Sequence, residues 1–144
     1  MSVKCIKFEI YIFLNIRINI KMSFQKVYKK HLSEPWFSLL FMGCKTVEGR
    51  LHHEDWEKMR QGDIIEWYNL DFTPLFDRQF KTIILSKKVY PSFESYLTNE
   101  GMQKTLPSIE KINDGLKIYY SYYKPEDEKK FGITAIQLKV IIDN

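Results

Sequence analysis

The chain has 144 residues, of which 44% are hydrophobic and 15% aromatic, which suffices for one domain core and excludes disorder over the main body. Residues 1–21 carry +3 of the net charge of +4, which leaves +1 for the other 123 residues and excludes a domain that attracts nucleic acid by overall charge. Two cysteines are too few for a disulfide framework, so we predict an intracellular, cytoplasmic protein.

The first 21 residues differ in composition from the rest of the chain. Their longest uncharged run, IYIFLNI, has seven residues, which is too short to span a membrane. No small-residue cleavage site of a signal peptide follows it. These residues are β-prone and could form an extra edge strand. We predict instead that residues 1–21 are a disordered or mis-assigned extension, that Met22 is the true start, and that the domain occupies residues 22–144.

Downstream of this extension, apolar periodicity predicts an alternation of strands and helices. Ser33 and Ser108 are placed to cap helices, Gly43 to end one, and Pro125 to end the last helix before a charged turn. In chain order we predict a strand at 24–32, a helix at 33–42, a strand at 45–51, a helix at 53–60, strands at 64–69 and 80–90, helices at 92–101 and 108–124, and a strand at 133–141. The short connections disfavour parallel crossovers. The pattern therefore predicts an α+β fold, a small, mostly antiparallel β-barrel with short helices packed outside.

The segment GCKTVEGR, residues 43–50, concentrates charge between two apolar segments. Strand periodicity places Thr46, Glu48 and Arg50 on one face, with Lys45 at the junction with the preceding helix. Arg50 offers a planar fork for a phosphate or a base edge. Lys45 offers a point charge or a general base, and Glu48 a partner for both cations or for a cytosine-like amine. The ordinary alternative is a solvated ion-pair ladder of little energetic consequence.

The same segment, written as G-x-K-x-x-x-x-R, follows the helix EPWFSLLFMG and precedes a strand that begins GDII, with SFESYLTNEG, YYSYY and GITAIQL downstream. In this order the segments resemble the ASCH domain family of the PUA-like superfamily, from about residue 24 to residue 141. The resemblance implies a PUA-like β-barrel that binds RNA or a modified nucleoside in a cleft beside the motif strand, through Lys45, Glu48 and Arg50. Trp36 or Trp67 offers a stacking surface for an unpaired base.

Two further hypotheses remain open beside nucleic-acid binding. Some ASCH members are amidohydrolases that remove the acetyl group from N4-acetylcytidine, using a lysine, a threonine three residues later and a glutamate near the end of the following helical segment. The resemblance then implies Lys45 to activate water and Glu100 to handle protons. Glu48 stands where threonine is usual and would orient the substrate. The third hypothesis is a non-catalytic protein-interaction module.

Other reactive side chains have ordinary explanations. His52 and His53 are adjacent on an extended segment, so they point opposite ways and chelate a metal poorly. Cys44 has no histidine at a spacing typical of a catalytic pair. We therefore predict no metal, no cofactor and no membrane contact, and a monomer whose partner is RNA or a modified nucleoside.

The tyrosines of YYSYY, residues 119–123, are compatible with a strip that stacks on nucleic acid. The more ordinary interpretation is an amphipathic helix that presents some of them to the core. We predict that its buried stripe consists of Ile109, Ile112, Leu116, Tyr120 and Tyr123. Gly115 within this helix indicates a close contact, because glycine there costs about 1 kcal/mol relative to alanine.

Overall fold

The computed structural model describes residues 25–71 and 78–142, which form five strands and six helices. The elements are β1 (Val27–His31), α1 (Trp36–Phe41), β2 (Val47–Leu51), α2 (Asp55–Lys58), β3 (Ile64–Asn69), β4 (Arg78–Tyr90), α3 (Phe93–Glu100), α4 (Met102–Thr105), α5 (Ile112–Tyr120), α6 (Pro125–Phe131) and β5 (Ile133–Ile141). The extension predicted at residues 1–21 lies outside the described residues. Within the described part, no helix has the length and apolar character needed to cross a membrane.

The five strands form one sheet in the order β1-β3-β4-β5-β2. Only β1 and β3 are parallel, and the other neighbouring strands pair antiparallel, as the sequence predicts. The 13-residue strand β4 pairs with β3 along its first half and with β5 along most of its length, with a register shift between Ile84 and Ser86. Such an irregularity bends a strand. The sheet curls into a half-barrel that stays open between β1 and β2, so the closed barrel that we predicted is only partly formed.

Two apolar clusters pack against this sheet. One joins α1 and α2 to β3, β4 and β5 and includes Leu40, Met59 and Trp67. The other joins α3, α4 and α5 to β2 and β5 and includes Val47 and Phe93. The half-buried side chain of Trp36 contacts both clusters. The boundary between the two clusters therefore lies beside α1, close to the start of the charged segment.

The helix α3 follows the sequence prediction closely. Ser92 accepts a hydrogen bond from the backbone N–H of Ser95 at 3.1 Å, which caps the helix, and Gly101 ends it with a φ of +89°. Gly43 likewise follows α1 with a φ of +77°. Strands β3 and β5 have the predicted bounds: burial alternates along β3, and in β5 it alternates from Ile136 to Lys139.

The region after residue 101 departs from the prediction. A four-residue helix, α4, intervenes at Met102–Thr105, and α5 begins at Ile112 rather than at Ser108, whose φ is +76°. Pro125 begins a helix instead of ending one, because proline at the first helical position loses no intrahelical bond. The charged turn that we predicted is therefore the helix α6. Its charges suit the helix dipole, with acidic residues in the first turn and basic residues in the last: Glu126, Asp127, Glu128, Lys129 and Lys130.

Candidate functional site

A cavity of about 200 Å³ opens between the end of β1, α1, β2 and the region from α4 to the turn after α5. Its walls combine aromatic rings with three charged side chains of the GCKTVEGR segment. The lining residues are His31, Leu32, Ser33, Trp36, Lys45, Glu48, Gly49, Arg50, Leu106, Ile118, Tyr119, Tyr122 and Tyr123. The segment that the sequence singles out therefore forms one side of a real cavity.

Lys45 lies at the base of this cavity with a side chain that is 1% exposed. Its ammonium donates to the carbonyl of Val47 at 2.7 Å, to the carbonyl of Thr105, and to Oε2 of Glu48 at 3.0 Å. Burial lowers the pKa of Lys45, although the neighbouring Glu48 carboxylate opposes this shift. Because an ammonium has three hydrogens, each has an acceptor within the protein. Lys45 thereby fastens β2 to α4.

Glu48 is also buried, with a side chain that is 6% exposed, and it bridges the two cations of the segment. Its Oε2 pairs with Lys45, and its Oε1 accepts from Nε of Arg50 at 2.9 Å. Burial alone would raise the pKa of Glu48, but the charges of Lys45 and Arg50 outweigh it and lower this pKa below its usual value. The three charges form a buried cluster and not the solvated ladder of the ordinary interpretation.

Arg50 is the most exposed of the three charged residues, with a side chain that is 21% exposed. Its Nη2 donates to the carbonyl of His31 at 2.9 Å, so the side chain of one edge strand, β2, reaches the end of the other edge strand, β1. The guanidinium carbon lies 5.1 Å from the ring centre of Trp56 and 5.9 Å from that of Trp67. Arg50 therefore bridges the open side of the half-barrel and also lines the cavity.

Gly49, between Glu48 and Arg50, lets an aromatic ring approach the strand. A Cβ atom at this position would lie 2.5 Å from the ring of Tyr96, closer than van der Waals contact allows. The hydroxyl of Tyr96 lies 3.1 Å from the hydroxyl of Tyr119, which lines the cavity. Burial, followed by the charge of the neighbouring groups, raises the pKa of both hydroxyls well above the usual value. Both tyrosines are therefore neutral donors at physiological pH.

The tyrosines of YYSYY follow the predicted stripe only in part. Tyr119 is 5% exposed and belongs to the core, whereas Tyr120, which we predicted to be buried, is 40% exposed. Ile109, Leu116 and Tyr123 of the predicted stripe do pack against the second cluster, so the prediction is wrong at Tyr120, whose place on the buried face Tyr119 takes. Tyr119, Tyr122 and Tyr123 all line the cavity. Sequence reasoning missed them as site residues, although their spacing of three and four places them on one side of a helical turn.

The other predicted site residues are divided between the cavity and elsewhere. Trp36 lines the cavity, with its ring centre 6.0 Å from Nζ of Lys45. Glu100 does not line it: Glu100 borders a separate surface depression and accepts a hydrogen bond at 2.8 Å from Tyr90, whose pKa burial and this bond raise to about 12. Trp67 is fully buried and donates to Thr82, so it cannot stack on a ligand.

The adjacent histidines occupy separate environments. Nδ1 of His52 lies 2.8 Å from the hydroxyl of Thr134, and the ring of His53 stacks on Phe131 at 4.1 Å between ring centres. Across residues 25–71 and 78–142, no three His, Cys, Asp or Glu side chains are grouped to hold a metal ion. Cys44 is exposed at the start of the segment.

Together, fold and site define a small α+β domain whose curled sheet carries an aromatic-walled cavity above a buried Lys–Glu–Arg cluster. The model of the ASCH domain family matches residues 31–142, and the chain belongs to this family. It is similar to hypothetical protein PH0355, known from a crystal structure, with 32% identity over 80% of this chain and 99% of that one, at a TM-score of 0.70. It is also similar to protein PF0455 from Pyrococcus furiosus, with 29% identity over 80% and 97% of the two chains, at a TM-score of 0.64. No curated protein matches the chain.

Proposed function

We propose that this ASCH domain binds one unpaired base of an RNA, or one modified nucleoside, in the cavity beside β2. The observation that carries this proposal is the combination of aromatic walls with buried, charged hydrogen-bonding groups in one small space. Proteins that recognise single-stranded RNA stack unpaired bases on aromatic side chains and bond their edges. The cavity volume of about 200 Å³ is below the roughly 300–1,000 Å³ typical of sites for drug-sized ligands, which favours a single heterocycle.

The polar groups of the cavity retain hydrogen-bonding capacity. Each carboxylate oxygen of Glu48 is bonded to one cation, and a carboxylate has about four acceptor positions in all, so it can accept further N–H groups. Arg50 has five N–H donors, of which one goes to Glu48, one to His31 and one to the hydroxyl of Tyr123, so two remain for a ligand. With two cations and one anion, the cluster carries a formal charge of +1. The donors and acceptors suit the edge of a base, and the net positive charge suits the phosphates of an RNA backbone.

The aromatic wall offers a stacking surface that solvent can reach. Tyr122 is 62% exposed and lines the cavity, and Trp36 lines it from the side of α1. A base that enters between these rings would exchange water for aromatic contact on its faces. Such stacking contributes about 1–3 kcal/mol for each base.

The contacts give less support to the amidohydrolase hypothesis. A lysine that activates water needs a free electron pair, but all three hydrogens of Lys45 are directed at protein acceptors. Glu100, the proton-handling residue implied by the resemblance, borders a different depression. Incubation of the full chain with N4-acetylcytidine, with cytidine release followed by chromatography, tests this hypothesis separately. Release above the uncatalysed rate would support it over simple binding.

The binding proposal is tested by titrating the full chain with short single-stranded RNAs of one base type and with the corresponding nucleosides, followed by calorimetry. We expect Tyr122→Ala to weaken binding roughly 5- to 150-fold, which corresponds to the loss of one stacking partner. Tyr120→Ala is the matched control, because Tyr120 is exposed, lies two residues from Tyr122 in the chain and is outside the cavity lining. Absence of binding to every RNA and nucleoside, or equal losses in both variants, would refute the proposal.

A further inference from the structure

Two tyrosine hydroxyls meet at the inner wall of the cavity. Tyr96 is completely buried, Tyr119 is 5% exposed and lines the cavity, and their oxygens are 3.1 Å apart. Among the described residues, Tyr119 is the hydrogen-bonding partner of the Tyr96 hydroxyl, and no second partner is present. The ring of Tyr96 packs directly against the backbone of Gly49, where no Cβ would fit, and this contact fixes the position of the two hydroxyls.

Burial decides which hydroxyl donates to the other. The pair has two hydrogens, and the contact between the oxygens uses one of them. If Tyr119 donated, the hydrogen of Tyr96 would be left without an acceptor in the protein interior, which is unfavourable. If Tyr96 donates, the remaining hydrogen belongs to Tyr119, and the cavity can supply its acceptor. The second arrangement leaves no buried donor unpaired, so Tyr119 presents its hydrogen to the cavity.

The hydroxyl of Tyr119 shares the cavity with the carboxylate of Glu48. Glu48 also lines the cavity, and its negative charge acts on both tyrosines, which raises their pKa values together with burial. The cavity thus offers a neutral O–H donor near a charged acceptor. An anion such as free phosphate could accept from Tyr119, and the net charge of the cluster would attract it, but it offers Glu48 no N–H group. A neutral ligand edge with an acceptor next to an N–H group satisfies both protein groups.

We infer that Tyr119, oriented by Tyr96, is a specificity-determining residue that donates its hydroxyl hydrogen to a ring nitrogen of the bound base while Glu48 accepts from the adjoining amine. This inference rests on the proposed function. Carboxylates accept from the exocyclic amine of cytosine, and cytosine and adenine both have an unprotonated ring nitrogen beside their amine. The ligand class is therefore an amino-substituted base and not a phosphate group.

The test changes one atom on each side of the contact. Affinities of cytidine, adenosine, 3-deazacytidine and 1-deazaadenosine are measured for the wild-type chain and for Tyr119→Phe. The deaza analogues replace the ring nitrogen by carbon and keep the amine. For whichever of cytidine and adenosine binds, we expect its deaza analogue to bind the wild type about tenfold more weakly than the parent nucleoside does. We expect Tyr119→Phe to bind the parent nucleoside about tenfold more weakly than the wild type does. The variant should bind the parent and its analogue with equal affinity.

Tyr120→Phe, outside the cavity, is the matched control and should discriminate parent from analogue as the wild type does. If Tyr119→Phe does not fold, the double variant Tyr96→Phe/Tyr119→Phe, which leaves no lone buried hydroxyl, carries the same comparison. A variant that still prefers the parent tenfold would overturn the inference and leave the binding proposal intact. Competition by inorganic phosphate as effective as that by the nucleoside would also overturn it. Failure of the wild type to bind any nucleoside or RNA would refute the proposed function itself.

Discussion

Replacing Glu48 with glutamine removes the negative charge that Lys45 and Arg50 share, while it nearly preserves the shape of the side chain. Lys45 and Glu48 have side-chain exposures of 1% and 6%, so solvent cannot replace the lost charge at that contact. Removing one partner of a buried ion pair costs about 3–5 kcal/mol, because the other partner is left uncompensated. We expect Glu48→Gln to lower the free energy of unfolding substantially.

Two features of the cluster favour the lower end of this range. Arg50 is 21% exposed and keeps its bond to the carbonyl of His31, so water and that carbonyl stabilise its charge. Burial already lowers the pKa of Lys45, and loss of Glu48 would lower it further, which reduces the cost of leaving this ammonium without its carboxylate. The expected loss is about 3 kcal/mol, which for a domain of this size lowers Tm by roughly 10 °C.

The measurement is urea unfolding of the full chain at neutral pH, with the m-value checked for equality between wild type and variant. Asp114→Asn is the matched control, because Asp114 pairs with Lys117 at 3.5 Å on the surface, where both side chains are more than half exposed. Its expected loss is less than about 1 kcal/mol. A loss of that size in Glu48→Gln would show that the buried cluster does not contribute as the contacts indicate.

The pH dependence gives a second, independent check on Glu48. Its pKa in the folded state is lowered, so its contribution to stability is complete above the ordinary value of 4.5 and disappears as the pH falls through the folded-state pKa. Glutamine does not titrate. The difference in unfolding free energy between wild type and Glu48→Gln should therefore shrink as the pH falls below 4.5. A difference that stays constant in acid would contradict the assignment of the loss to this charge.

Gly49→Ala should cost at least about 1–3 kcal/mol in urea unfolding, because its Cβ would lie 2.5 Å from the ring of Tyr96. Gly115→Ala is the contrasting substitution, because its Cβ would meet only the ends of side chains, at 2.9 Å from Met102, 3.1 Å from Leu106 and 3.2 Å from Leu97. Helix propensity returns about 1 kcal/mol, so we expect a smaller loss than in Gly49→Ala, and equal losses would refute the contrast. The pKa values of Tyr96 and Tyr119 are raised, so the unfolded chain loses these protons first and stability falls as the pH rises above 10. Tyr96→Phe should make that alkaline decline shallower in unfolding measured at a series of pH values, and an unchanged slope would contradict this.

The elements that the sequence predicts well are those whose pattern is local. Strands β3 and β5 are runs rich in β-branched and aromatic residues that each follow a glycine turn, and Ser92 and Gly101 delimit α3. The end of the chain was harder to predict, because Pro125 suits either the end of one helix or the start of the next. Only the packing of α6 against β2 distinguishes the two.

That the charged segment lines a cavity was also predictable from the sequence, but the burial of its side chains was not. Strand periodicity correctly placed Glu48 and Arg50 on one face, since both line the cavity. That this face is covered depends on α4 and on the tyrosines after residue 118, which are distant in sequence. Lys45 is the clearest example, because one of its acceptors is the carbonyl of Thr105, 60 residues away. No local pattern could assign that partner.

Lys45 supports the structure around the cavity, whereas Tyr119 and Tyr122 face the space inside it. Lys45 directs its hydrogens at Val47, Thr105 and Glu48, so it holds β2 in place and supports the carboxylate from below. A substitution of Lys45 would unpair two backbone carbonyls and a buried charge, so a loss of binding or turnover in such a variant would not distinguish a role in binding from a role in structure. Tyr122 and Tyr119 face the cavity and can be shortened or stripped of a hydroxyl without touching this cluster. Function at this site is therefore better tested on the tyrosines than on the lysine that the sequence makes most conspicuous.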